Sequence, residues 1–176
     1  MTVSDETLAQ AAANGDKEAF ASLLSRHYDR IFRLCFRLTV AQSDAEDLCQ
    51  DICMALPRKM QGYASDAKFT TWLYRVVVNA SNDRWRRQAT YAKATEGWGE
   101  VERARRAEAV EAEEALDWLN ASMRTLPSEL RETLALVLDD VTHKEAGQIL
   151  GVCEGTISWR ISEAKKRLKQ LKDKSA

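Results

Sequence analysis

The segment from Phe69 to Arg87 carries the side chains of this chain best suited to chemistry. It reads Phe-Thr-Thr-Trp-Leu-Tyr-Arg-Val-Val-Val-Asn-Ala-Ser-Asn-Asp-Arg-Trp-Arg-Arg, and on a helix it sets aromatics, amides and guanidinium groups along one exposed face. An aromatic ring stacks on an unpaired base of any identity, and a guanidinium holds the phosphate beside it. The chemistry expected is strand separation and base readout, not bond making. A helix with buried Trp and Val and solvated arginines fits the same residues, so other segments must decide.

A second cluster is Asp44-Ala-Glu-Asp-Leu-Cys-Gln-Asp51. Asp44, Asp47 and Asp51 are three and four apart, which lines them up as a carboxylate ridge on one helix face. Such a ridge suits a basic partner surface; a merely solvated acidic face is the plainer alternative. A metal-dependent nuclease or phosphohydrolase would need ligands from a second element, and no segment supplies them. No catalytic residue, metal or cofactor is expected.

The third cluster lies near the C-terminus. Thr142-His-Lys-Glu-Ala-Gly-Gln-Ile-Leu-Gly151, then Val152-Cys-Glu, then Gly155-Thr-Ile-Ser-Trp-Arg-Ile-Ser-Glu-Ala-Lys-Lys-Arg-Leu168 has the form of a helix-turn-helix. Thr142 can cap the first helix, with Glu145 completing a capping box. Gly147 sits mid-helix at a cost of about 1 kcal/mol against Ala, which a close approach to the second helix would explain.

The elements that must position these clusters are almost all helical. Only 7 Gly and 2 Pro occur in 176 residues, and Ala, Leu, Glu, Arg and Lys dominate. Ser4 or Asp5 caps a first helix ending near Asn14-Gly15. A second runs from about Lys17 to Leu38, with Phe20, Leu23, Leu24, Ile31, Leu34, Cys35 and Leu38 inward. A third starts near Ser43-Asp44, buries Ala45, Leu48, Ile52, Cys53 and Leu56, and ends around Met60 to Gly62; a polar loop from Tyr63 to Lys68 then leads into the aromatic-basic helix. The expectation is an all-α chain of two small helical domains: 1–87, a linker at 88–114 that orders only on a partner, and 115–176. Within the linker Trp98 is an apolar exception among Gly97, Gly99 and mixed charges. In the second domain Leu116, Leu119 and Met123 form one stripe. Pro127 starts the next helix, and Leu130, Leu134, Val137 and Leu138 point inward.

Net charge is -1, so affinity for nucleic acid must come from local clusters. The cysteines are Cys35, Cys49, Cys53 and Cys153; Cys49 and Cys53 share a helix face, but with His27 and His143 apart no zinc set forms, and buried thiols in a reducing cytoplasm are the reading. No leader-like N-terminus and no run of membrane-spanning length is seen, so a cytoplasmic location without membrane insertion is expected.

The three clusters in this order, with Gly15-Asp16 and Ala19-Phe20 upstream and Leu126-Pro127 before the helix-turn-helix, resemble the extracytoplasmic-function group of bacterial RNA polymerase sigma factors. The resemblance covers nearly the whole chain. It implies a protein that docks on core RNA polymerase, melts and reads the -10 promoter element with its first domain, and reads the -35 element with its second. By matching position, Asp44, Glu46, Asp47, Leu48, Gln50 and Asp51 would meet the beta-prime clamp, with the beta flap as a further polymerase contact. Asn79 matches the family's base-reading asparagine, and the loop from Tyr63 to Phe69 the one that receives a flipped base. Tyr63, Lys68, Phe69, Trp72, Arg75, Asn79, Asp83, Arg84, Arg86 and Arg87 would thus serve the -10 element, the arginines holding phosphates, while Trp72 is as well placed to wedge the core.

For the -35 element the matching residues are Thr156, Ser158, Trp159, Arg160, Glu163, Lys165 and Lys166. Here the chain departs from the family's basic pattern: Ser158 and Trp159 stand where Lys or Arg then Ser is common, and Glu163 opens what is usually an Arg-Ala-Arg triplet. Cys153 stands where Ser or Thr usually caps the helix, a loss of about 0.5–2 kcal/mol. An anti-sigma protein is a further implied partner. The ridge and the base-separating surface are expected on different sides of the first bundle. The alternative is a helix-turn-helix regulator acting as a dimer without polymerase.

Overall fold

The computed structural model describes residues 3–94 and 117–175. Helix α1 spans Asp5–Ala13, α2 Lys17–Thr39, α3 Gln42–Met60 and α4 Phe69–Ala94. After the undescribed stretch come α5 (Asp117–Thr125), α6 (Ser128–Val137), α7 (His143–Leu150) and α8 (Glu154–Ser175). All regular structure among the described residues is helical, in two groups, as the composition requires.

Local chemistry sets most boundaries. Ser4 Oγ accepts from the Thr7 amide, and Asp16 Oδ1 accepts from the Glu18 and Ala19 amides at 2.9 and 3.0 Å, capping α1 and α2. Gly15 follows α1 at φ 97°, a conformation open to glycine at no steric cost. Asp5 ties α1 to α2, accepting from Arg26 at 3.0 Å and meeting the buried His27 ring at 2.7 Å. The first core is built from Leu23, Ile31, Leu34 and Leu38 of α2, Leu48, Ile52 and Leu56 of α3, and Leu73 and Val77 of α4. Helix α4 continues to Ala94, beyond the boundary expected at Arg87; the rest of the linker, with Trp98, lies outside the described residues, as does Leu116.

In the second group α8 packs on α5, α6 and α7. The Thr142–Glu145 capping box is present, and Gly151 ends α7 in the left-handed region at φ 69°. A Cβ on Gly147 would lie 2.7 Å from the Val152 carbonyl oxygen. The close approach is therefore to the turn, not to the second helix. Two apolar expectations fail: Leu119 and Leu138 are exposed at 37% and 43%. Leu138 falls just past the last turn of α6, where the chain leaves the core for the Asp139–Asp140 turn.

The two groups touch. Helix α2 packs on α6 and α5, and α4 on α7.

Candidate nucleic-acid interface

On α3 the carboxylate ridge forms as the spacing predicts, but it carries its own counter-charge. Arg84 of α4 lies 3.1 Å from Asp44, 3.5 Å from Asp47 and 3.8 Å from Asp51. Its guanidinium thus faces the ridge and not a phosphate, and its Nε is buried without a partner. Asp47 and Asp51 keep about two-thirds of their side-chain surface in solvent, and Glu46 and Gln50 are exposed beside them. Leu48 is 1% exposed and belongs to the core, so it supports the ridge from beneath and cannot be a contact residue in this conformation.

Helix α4 presents Arg75, Asn79, Asp83 and Arg86 on one exposed stripe, at steps of four, four and three. The other arginines diverge from it. Arg84 turns to α3, while Arg87 is exposed and lines a groove of about 600 Å³ between α3 and α4. Asn79, Asp51, Lys59 and Asp83 line the same groove. Asp51 of the ridge and Asn79 therefore line one groove, so the two surfaces expected on different sides of the bundle adjoin. Neighbouring helices packed side by side leave their adjoining polar edges in a shared cleft.

The loop before α4 is anchored from within. Tyr63 and Phe69 are 5% and 3% exposed, with ring centroids 6.0 Å apart, and Trp72 packs edge-on against Tyr63 at 5.5 Å. Tyr63 also donates to the Ala67 carbonyl at 3.3 Å. These rings shape the loop and are not themselves open to a base, a correction to the expected -10 contacts. Trp72 takes the core-wedging role. Lys68 and Arg75 are outside but engaged: Lys68 Nζ is 3.2 Å from Glu145, and Arg75 donates to the Gln148 carbonyl at 2.7 and 3.1 Å. Both partners belong to α7, so the first helix of the helix-turn-helix covers this part of the stripe.

On α8, Ile157, Ile161 and Ala164 face the core while Ser158, Trp159, Lys165 and Lys166 face solvent. Trp159 is 61% exposed. Ser158 Oγ pairs with His143 Nδ1 at 3.0 Å. Arg160 is turned back onto α6, 3.4 Å from Glu129 with 12% of its side chain in solvent, and Glu163 accepts from Arg167 at 2.9 Å. Arg160 is thus not presented to a groove, contrary to expectation. Thr156 is half-buried, its hydroxyl 3.1 Å from the Cys153 thiol. That hydrogen bond is the main cause that lowers the Cys153 pKa, while the Thr156 amide donates to the Cys153 carbonyl at 3.0 Å.

Asp139, a residue the sequence does not single out, joins the two groups. Its carboxylate, 5% exposed, lies 2.9 Å from Arg37, 3.3 Å from Arg33 and 3.8 Å from Arg30, and accepts a hydrogen bond from Tyr74. Burial opposes its ionisation, but the Tyr74 hydrogen bond and the Arg37 and Arg33 guanidinium groups outweigh burial and hold the pKa below its ordinary value. Arg131 stacks over Trp85 at 4.8 Å, and Arg124 donates to the Val40 carbonyl at 2.9 Å, adding two more bridges. The basic stripe Arg30, Arg33, Arg37 is visible in the sequence at helical spacing and was the available signal.

Cys35 joins the two cysteines expected to share a face. The neighbouring Cys35 thiol first, then Cys53 and Tyr28, favour the Cys49 thiolate and lower its pKa despite its burial. Among the described residues no group of three or more His, Cys, Asp or Glu side chains is placed to hold a metal ion, and no helix is long and apolar enough to cross a membrane.

With this geometry in view, comparison with known proteins is decisive. The family model "Sigma-70 region 2" matches residues 23–91, and "Sigma-70, region 4" matches residues 116–168. The chain is 33% identical to the ECF RNA polymerase sigma factor SigM of Mycobacterium tuberculosis, over 96% of this chain and 84% of that protein. It is 30% identical to SigW of Bacillus subtilis, covering 90% and 92%. In fold it is similar to CnrH, solved in complex with the cytosolic domain of CnrY, at a TM-score of 0.72 and 23% identity over 98% and 99% of the two chains. RpoE of Bartonella quintana, solved with the anti-sigma factor NepR, gives 0.71 and 20% over 88% and 96%. The chain belongs to the extracytoplasmic-function sigma factors of the sigma-70 family. It binds core RNA polymerase and directs promoter-specific initiation of transcription. Sigma factors are in general not catalysts, and the dimeric regulator is not favoured.

Proposed function

We propose that the exposed rim of α3 (Glu46, Asp47, Gln50, Asp51) docks on the polymerase clamp while the stripe of Arg75, Asn79, Asp83 and Arg86 on α4, with Lys68 and Arg87, engages the -10 element. The observation that carries this reading is the groove shared by Asp51 and Asn79. Asp51 on its α3 wall continues into the exposed Asp47 and Glu46, which suit a basic protein surface, and its α4 wall offers an amide that donates to and accepts from a base edge. A nucleobase entering there would be held beside the polymerase contact, so strand separation and docking are coupled in space. Arg84 sets the charge of the ridge and is no phosphate ligand. Helix α8 reads the -35 element through Ser158 and Trp159, with Lys165 and Lys166 on phosphates, and the second domain takes the flap as its polymerase contact.

The contacts of α7 with Lys68 and Arg75 must break before promoter DNA reaches those two side chains. A regulatory protein that holds the two domains together would keep the chain inactive, and an anti-sigma factor of that kind is the partner we infer, by likeness to the relatives solved in such complexes. The site of action is the cytoplasm.

Substituting Asn79 by Ala tests the base-reading role. Permanganate reactivity of the promoter should fall while co-purification with core polymerase is unchanged. Loss of both together would show that Asn79 is structural, and full promoter opening would remove it from the reading.

A further inference from the structure

The charged side chains most able to read guanine from α8 are not free to do so. Arg160 is held on Glu129 with its side chain largely out of solvent, and Arg167 is paired with Glu163. A guanidinium recognises guanine by donating to O6 and N7 together, which needs it presented outward. What α8 presents outward in its first turns is Glu154, Gly155, Ser158 and Trp159, followed by Ser162; the Glu154 carboxylate can neither donate to guanine nor hold a phosphate, and the Ser158 hydroxyl is already tied to His143. Recognition helices meet base edges with their N-terminal residues. Lys165, Lys166 and Lys169 lie further along, where a helix leaves the groove past the phosphates.

Trp159 therefore dominates the reading face. Its indole offers a broad apolar surface and a single N–H donor. In the major groove the apolar feature of the base pairs is the thymine 5-methyl group, and apolar side chains read it by contact. We propose that Trp159 is the specificity-determining residue of α8 and selects thymine by packing its indole on 5-methyl groups in the major groove. The proposal rests on the reading that α8 enters promoter DNA and adds what it reads there. A large, isolated, exposed aromatic also suits a protein contact, so the test must separate the two.

Holoenzyme formed from the full chain and core polymerase is used to select promoters from a pool randomised upstream of the start site. The selected templates are remade with deoxyuridine for thymine, position by position, which removes one methyl group and nothing else. For the wild-type chain, one or two upstream positions should lose open-complex yield by about fourfold each, the equivalent of one buried methylene. Trp159→Ala holoenzyme should treat thymine and deoxyuridine alike at those positions, and because the indole is exposed its fold should be intact by circular dichroism. Wild-type indifference to deoxyuridine overturns the proposal, as does a Trp159→Ala chain that keeps the discrimination. Selection of no upstream element at all would instead remove the underlying reading that α8 contacts DNA.

Discussion

Asp139 accepts a hydrogen bond from Arg37 at 2.9 Å across 102 residues of sequence, and the contact pins the turn after α6 onto α2. With Tyr74 and two more arginines on the same carboxylate, it is the most heavily bonded point between the domains.

Replacing Asp139 by Asn keeps the shape but removes the charge that three guanidinium groups share. Hydrogen bonds to charged groups contribute on the order of 1.5–3 kcal/mol each, discounted here because Arg30, Arg33 and Arg37 are partly in solvent. The variant should favour separated domains, seen as a larger radius of gyration in small-angle scattering of the full chain, with helix content unchanged. An unaltered scattering profile would mean the other bridges suffice.

Acid should act on the same point. The folded-state pKa of Asp139 is lowered from 3.8, so its stabilising contribution is full above that value and is lost as pH falls through the folded value. Domain docking should therefore weaken only below about pH 4, and a scattering titration that shows separation already near neutrality would contradict the assignment.

Gly147 offers a test inside the helix-turn-helix. Alanine would improve helix propensity by about 1 kcal/mol, yet its Cβ would meet the Val152 carbonyl oxygen at 2.7 Å. Since backbone must move to relieve that clash, an overpacking cost of about 1–3 kcal/mol is expected, which leaves a net loss of up to about 2 kcal/mol. Thermal unfolding of Gly147→Ala should show a lower midpoint; a higher one would mean the turn yields freely.

Much of this was legible from residues alone. Periodicity and caps gave α1 and α2 nearly to the residue, because Ser4, Asp16 and Gly15 act over three or four neighbours, while α3, with no side-chain cap at Ala41, was legible from periodicity alone. The capping box and the αL glycine of the helix-turn-helix are equally local. What escaped depends on distant partners. No local rule says that Arg84 will face α3 across 40 residues, that Arg160 will fold back on Glu129, or that Asp139 will be claimed by α2. Tyr63, Phe69 and Leu48 show the complementary failure. Positions matched to functional segments can be buried supports of those segments, and only packing distinguishes the two.

Charge reversal at the outer ridge tests the central claim, that α3 recruits the polymerase. Asp47 and Asp51 are exposed, so Asp47→Arg and Asp51→Arg together should leave the fold intact by circular dichroism. Each reversal places a guanidinium where a basic partner would sit and should abolish co-purification with core polymerase and run-off transcription. Recruitment at the wild-type level by the doubly reversed chain would contradict the account.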